Sequence, residues 1–256
     1  MQKVLSKDGT AIAFDRFGEG QPLILVVGAF NDRSTGTPLA QSLASQFTVY
    51  TYDRRGRGNS GDTPPYAIER EIEDLEALIA QAGGSAAVFG YSSGALLALK
   101  AAAKGLPITR LVLYDPPYAV NGHAPQAVDH AGQLAELVAA GRRGDAVEYF
   151  QSRIVGIPEE VVAQLRRAPF RPALEAIAHT LVYDATILGD MSLPTDLLRS
   201  VTTPTLVIAG GTNPFMTAAA NAVAATLPNA DARILEGQTH DIDPSVLSPV
   251  LKGFLS

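Results

Sequence analysis

Residues 87–99 read Ala87-Val88-Phe89-Gly90-Tyr91-Ser92-Ser93-Gly94-Ala95-Leu96-Leu97-Ala98-Leu99. Apolar residues before Gly90 predict a short buried strand, and those after Gly94 predict a helix. The turn between them, Gly-Tyr-Ser-Ser-Gly, matches G-x-S-x-G with Ser92 at its centre. A serine on such a strand-to-helix turn is strained and projects above the sheet edge, with little space beside it. Gly90 and Gly94 supply that space, because neither carries a Cβ. The first N–H groups of the following helix are then free to face a reacting carbonyl, with the helix dipole behind them.

Outward from this stretch the chain alternates short apolar runs with helical patterns. Asp8-Gly9 predicts a hairpin turn within residues 2–17. Residues 23–27 are continuously apolar, as in a strand buried on both faces. A helix is predicted over 37–46, a strand over 47–53 and a helix over 66–82. A further strand follows at 111–115, stopped by Pro116-Pro117. After residue 195 the rhythm resumes, with strands at 204–209 and 232–235 and helices at 215–227 and 244–255. The fold class is therefore α/β, a mostly parallel twisted sheet with helices on both faces. Sites in such sheets lie beyond the carboxyl ends of the strands. The loops after Val27, Asp53, Gly90, Asp115, Ala209 and Leu235 should share one rim. Residues 118–195 lack strand signals and show helical patches at 127–140, 145–154, 159–167 and 173–181. We read 1–117 and 196–256 as the core and 118–195 as an inserted helical cap.

At 256 residues the chain is long enough for one large domain with an insertion. It is 46% hydrophobic and 18% charged, which excludes disorder. The net charge of −6 and short, scattered basic clusters argue against a nucleic-acid partner. With no cysteine, disulfides, thiol nucleophiles and thiolate metal sites are excluded. The four histidines have no metal-ligand spacing, so neither a metal nor another cofactor is expected. No signal core opens the chain and no segment is apolar enough to span a bilayer, so a cytoplasmic protein without membrane association is expected. The oligomeric state, with a homodimer as one option, stays open.

Serine needs a base to act as a nucleophile. His123, His130 and His179 fall in the insertion, whereas His240 follows the last strand, on the same rim as Ser92. Six stretches carry a resemblance. They are Val27-Gly28-Ala29-Phe30, the loop Asp53-Arg54-Arg55-Gly56-Arg57-Gly58-Asn59-Ser60, the Ser92 turn, Leu113-Tyr114-Asp115-Pro116-Pro117, the strand opening at Pro204, and His240. Over nearly its whole length the chain resembles the α/β-hydrolase family, in particular small bacterial esterases, haloperoxidases and epoxide-hydrolase-like enzymes. The resemblance implies Ser92 as nucleophile, His240 as general base, and the backbone N–H groups of Ala29 and Ser93 as oxyanion hole. It also implies a structural role for the arginine-glycine loop, with Arg55 and Arg57 tying loops together.

Two positions depart from the family pattern. Val27 stands where the family usually has histidine. Asn213 stands where it places the aspartate that orients the base, which suggests a subgroup lacking the usual triad acid. An asparagine carries no charge to stabilise imidazolium, and the matching change in a serine protease slows turnover by about four orders of magnitude. Three arrangements stay open. Asp115, at the end of the preceding strand, replaces the acid; Ser92 and His240 act as a dyad with Asn213 holding the ring; or hydrolysis is lost. Asp241 and Asp243 read as helix-start acids. Phe30, Tyr91, Phe215 and Met216 from the core, with Tyr118, Phe150, Ile154, Phe170, Leu181, Tyr183 and Ile187 from the insertion, suggest an apolar pocket for a small neutral substrate. The expected activity is serine hydrolysis of small carboxylic esters, thioesters or lactones through an acyl-enzyme. A lyase, cyclase or perhydrolase on the same fold, and a small-molecule sensor with little turnover, are the alternatives.

Overall fold

The computed structural model describes residues 1–120 and 128–256. His123 and the start of the helical patch expected at 127 lie outside the described residues. Eight strands form one sheet: β1 (Gln2–Leu5), β2 (Ala11–Phe17), β3 (Gln21–Val26), β4 (Phe47–Tyr52), β5 (Ala86–Tyr91), β6 (Ile108–Tyr114), β7 (Thr205–Gly210) and β8 (Ala230–Leu235). Their order across the sheet is β1-β2-β4-β3-β5-β6-β7-β8. The β1–β2 and β2–β4 pairs are antiparallel and every other pair is parallel. The expected mostly parallel sheet is present, with the Asp8-Gly9 hairpin as its antiparallel edge.

Register decides where the site falls. Val26 pairs with Gly90, Tyr91 with Tyr114, Tyr114 with Ile208, and Gly210 with Leu235. The carboxyl ends of β3, β5, β6, β7 and β8 are therefore level, and the loops leaving them open on one rim. All six residues of β5 are buried, as the apolar run required.

The helices between strands are α1 (Arg33–Leu43), α2 (Ile68–Gln81) and α3 (Ser93–Ala103). Then come α4 (His130–Ala139), α5 (Arg143–Tyr149), α6 (Glu159–Leu165), α7 (Arg171–Ala176), α8 (Thr180–Leu188) and α9 (Thr195–Ser200), followed by α10 (Pro214–Thr226) and α11 (Pro244–Leu255). Leu39 and Leu43 of α1 and Leu247 and Leu251 of α11 pack with Leu23, Leu25, Val49, Phe89, Val112 and Ile208 of the sheet. Each such leucine contributes about 1.5–3 kcal/mol when fully buried. A second contiguous layer is built by α2, α3, α9 and α10.

Contacts divide the chain into two compact units, Met1–Pro125 with Met191–Ser256, and Gln126–Asp190. The second is helical, with Leu134, Ala146, Val147, Leu181 and Ile187 buried. A π-helical turn, Phe150–Ile154, extends α5. The patch expected at 173–181 is two helices, α7 and the start of α8. The latter buries Thr180 and Asp184 and leaves Val182 and Tyr183 on its half-buried side, so its sequence has no amphipathic period to read. Helix α1 begins four residues before its expected start, because the Asp32 side chain accepts the Ser34 N–H as an N-cap.

The loop after β4 is held by buried arginines. Arg54 makes a two-pronged pair with Glu71, at 2.7 Å on both prongs. Arg55 pairs with Asp74 and reaches Asp8 at 3.0 Å. Arg57 donates to the backbone carbonyls of Gly28 (2.6 Å) and Asn31 (3.1 Å), fastening this loop to the one after β3. Burial alone would raise the Asp8 pKa. The hydrogen bond from the Thr10 N–H and the Arg55 guanidinium outweigh it and hold the carboxyl at about 2, below the ordinary 3.8. A depressed carboxylate stabilises the fold above its unfolded pKa and loses that contribution as the pH falls through its folded one. Asp8→Asn should therefore be less stable than wild type near neutral pH, and the gap should close between 3.8 and about 2, as followed by urea unfolding across that range.

Candidate active site

Strand β5 ends at Tyr91 and α3 begins at Ser93, leaving Ser92 alone in the turn with φ 56° and ψ −125°. A non-glycine residue at positive φ is strained, and such strain persists only where the surroundings impose it. Here they do. A Cβ on Gly90 would lie 2.6 Å from Ala95 Cα, and one on Gly94 would lie 2.3 Å from the Val26 carbonyl oxygen. A Cβ on Gly28 would come within 2.8 Å of Ser92 Cβ. The motif explains the first two glycines, and Gly28 is a third that the sequence reading did not link to the turn. The Ser92 N–H is fixed by the Tyr114 carbonyl at 2.9 Å.

Strain continues along the rim. Phe30 after β3 has φ 63° and Asp115 after β6 has φ 49°. Asp115 is 1% exposed. A carboxylate this deep must be compensated. Its Oδ1 accepts the Gly210 N–H at 3.0 Å, and its Oδ2 lies 2.8 Å from His240 Nδ1. His240 is brought there by the loop after β8. That loop is stitched to the end of β7 by Gly211 N–H to the Leu235 carbonyl (2.8 Å) and Thr212 N–H to the Gln238 carbonyl (3.1 Å). Gly210 permits the approach, since a Cβ on it would lie 2.3 Å from the Thr239 carbonyl oxygen. The Tyr91 ring packs on the imidazole, with centroids 4.9 Å apart. No hydrogen bond joins Ser92 Oγ to the ring among the described residues; such bonds often tighten only around substrate.

The chain's match to the alpha/beta hydrolase family model runs over residues 23–249. The chain belongs to the alpha/beta hydrolase family. An alpha/beta hydrolase from Sphaerobacter thermophilus DSM 20745 is 54% identical over the whole of both chains, with a TM-score of 0.93. N-formylmaleamate deformylase of Pseudomonas putida is 39% identical over 109 residues, a stretch spanning 41% of each chain. The 2-(acetamidomethylene)succinate hydrolase of Mesorhizobium japonicum is 28% identical over 93% of this chain and 89% of its own length.

The expectation of a subgroup lacking the usual triad acid is overturned. A buried carboxylate does hold the histidine, and it is Asp115, from the end of β6. Asn213 is an exposed N-cap: its side-chain oxygen accepts the Phe215 N–H at 3.0 Å and opens α10. Ala29 lies in the loop between β3 and α1, and Ser93 is the first residue of α3. Phe30, Phe215 and Met216 are half-buried and Tyr91 is buried. Of the aromatic and aliphatic residues expected from the insertion, Phe150, Leu181 and Ile187 are interior and Phe170 is exposed. His130 is bonded to Tyr149 and His179 to Arg143, both within the helical unit. Among the described residues no cluster of metal-ligating side chains occurs, and no helix is long and apolar enough to cross a membrane. Since Asn213 works as a cap, Asn213→Ala should lower unfolding free energy by about 1 kcal/mol in urea denaturation.

Proposed function

We propose that this protein is a serine hydrolase of small carboxylic esters in which Ser92, His240 and Asp115 form the catalytic triad. The observation that carries the reading is the buried Asp115 carboxylate on His240 Nδ1, beside a serine strained to positive φ. With Nδ1–H donating to Asp115, the lone pair of His240 is on Nε2. That nitrogen takes the Ser92 Oγ proton as Oγ attacks the carbonyl carbon. The Asp115 charge stabilises the resulting imidazolium without taking its proton. The oxyanion is met by the N–H groups of Ala29 and Ser93, the latter at the positive end of α3. Imidazolium then protonates the leaving alcohol, and the acyl-enzyme remains. Water repeats the sequence, giving up a proton to His240 and releasing the acid and free Ser92. Phe30, Phe215 and Met216 favour a small neutral acyl group.

A second reading concerns the bond that is cut. The Pseudomonas relative is a deformylase of an N-formyl compound and the Mesorhizobium relative a hydrolase of an acetamido compound. An N-acyl substrate is therefore tested beside the esters.

Intact-mass spectrometry after fluorophosphonate treatment should show one adduct on wild type and none on Ser92→Ala or His240→Ala. In 4-nitrophenyl ester hydrolysis, Asp115→Asn should lower kcat by about four orders of magnitude, while Asn213→Ala stays near wild type. The reverse ranking would return the acid's role to Asn213. An unlabelled wild type would remove the serine-hydrolase reading.

A further inference from the structure

His240 lies in a loop and its side chain is 39% exposed, so packing alone does not hold its ring. The ring has Asp115 at one nitrogen and Tyr91 on one face. A third hold acts on the backbone. The Tyr114 hydroxyl donates to the carbonyls of Thr239 (2.8 Å) and Asp241 (3.2 Å), the residues on either side of His240.

Tyr114 is itself buried and packed. It is 1% exposed at the end of β6. Its ring lies between those of Phe89 (centroids 6.3 Å apart) and Tyr91 (5.8 Å), both on β5. Burial, with the nearby Asp115 and Asp241 carboxylates behind it, pushes the phenol pKa up. The hydroxyl therefore stays a donor throughout the working pH range. A rigid strand end thus carries the ring partner of His240 at Asp115 and the backbone partner of its loop at Tyr114, in consecutive residues.

We infer that Tyr114 is a positioning residue for catalysis, its hydroxyl clamping the Thr239–Asp241 backbone so that the His240 ring stays on Asp115 and in line with Ser92. This rests on His240 being the base. Misplacement of a catalytic group by about 1 Å slows reactions by up to about a hundredfold, so a loosened loop should be visible in turnover without loss of substrate binding.

Tyr114→Phe removes the hydroxyl and keeps the stacked ring. For 4-nitrophenyl acetate its kcat should fall about tenfold with KM within about twofold, and fluorophosphonate labelling of Ser92 should slow in parallel. Hydrogen exchange should quicken in residues 236–243 and not elsewhere. Tyr114→Leu is the second hydroxyl-free variant should Phe fail to fold, each variant being assayed well below its own melting midpoint. A kcat near wild type overturns the clamp. So does a fall in kcat with exchange in 236–243 unchanged, since the hydroxyl would then act otherwise than on the loop. Undiminished labelling of His240→Ala would instead sink the triad reading, whatever Tyr114→Phe does.

Discussion

A serine at φ 56° does not hold that conformation by itself. A residue held in so sparsely populated a backbone region costs about 1–3 kcal/mol, and the turn at Ser92 is stable because its neighbours leave no alternative. Gly94 lies against the Val26 carbonyl, Gly90 against Ala95 and Gly28 against Ser92 itself. The end of β3, the end of β5 and the start of α3 therefore meet at backbone contact distance. Relaxing the serine would drive one of these backbones into another. The same contacts set the spacing between the loop carrying Ala29 and the first turn of α3, whose N–H groups are the ones proposed to meet the oxyanion.

The rim needs a second support, because the loop after β3 has no regular structure until α1. The arginines after β4 provide it. Arg57 reaches the Gly28 and Asn31 carbonyls, and Arg54 adds Val27 at 3.4 Å. Each arginine needs a compensated environment to lie buried, and Glu71 and Asp74 of α2 supply it for Arg54 and Arg55. Buried pairs of this kind add little net stability after desolvation, but breaking one leaves an uncompensated charge. They act here as fasteners that select one arrangement of the β3 loop. Asp53 is a similar anchor, accepting from the Arg33 and Asn59 N–H groups at 2.9 and 2.8 Å.

The mostly parallel sheet, the strand-to-helix turn and the rim were legible because each has a local signature. Val88-Phe89 before Gly90 and the apolar run at 23–27 could only be interior strands of a covered sheet. The structural role of Arg55 and Arg57 was also readable, through the family pattern. The acid was not. A sequence shows Asp115 beside Pro116 and Asn213 beside Pro214, and both sit at strand ends on the right rim. What separates them is three-dimensional: Asp115 is buried with the Gly210 N–H on one oxygen, whereas Asn213 faces solvent and caps its own helix. Helix α8 was missed beyond 181 for a different reason. Its polar Thr180 and Asp184 are buried and its apolar Val182 and Tyr183 stand on the half-buried side, so it lacks the polar face that reveals a helix in sequence.

The two acid positions are closer than their separation in sequence suggests. Strands β6 and β7 are parallel neighbours, Tyr114 pairs with Ile208, and the Asp115 N–H is bonded to the Ile208 carbonyl at 2.8 Å. The two positions therefore follow adjacent strands on the same rim. With Asp115 as the proposed acid, Asn213 has the task of starting α10. Asparagine suits that task as well as aspartate does, and a second carboxylate near Asp115 would add repulsion. The Gly210 N–H, at the end of β7, donates to the Asp115 carboxylate at 3.0 Å, so β7 supports the carboxylate that follows β6.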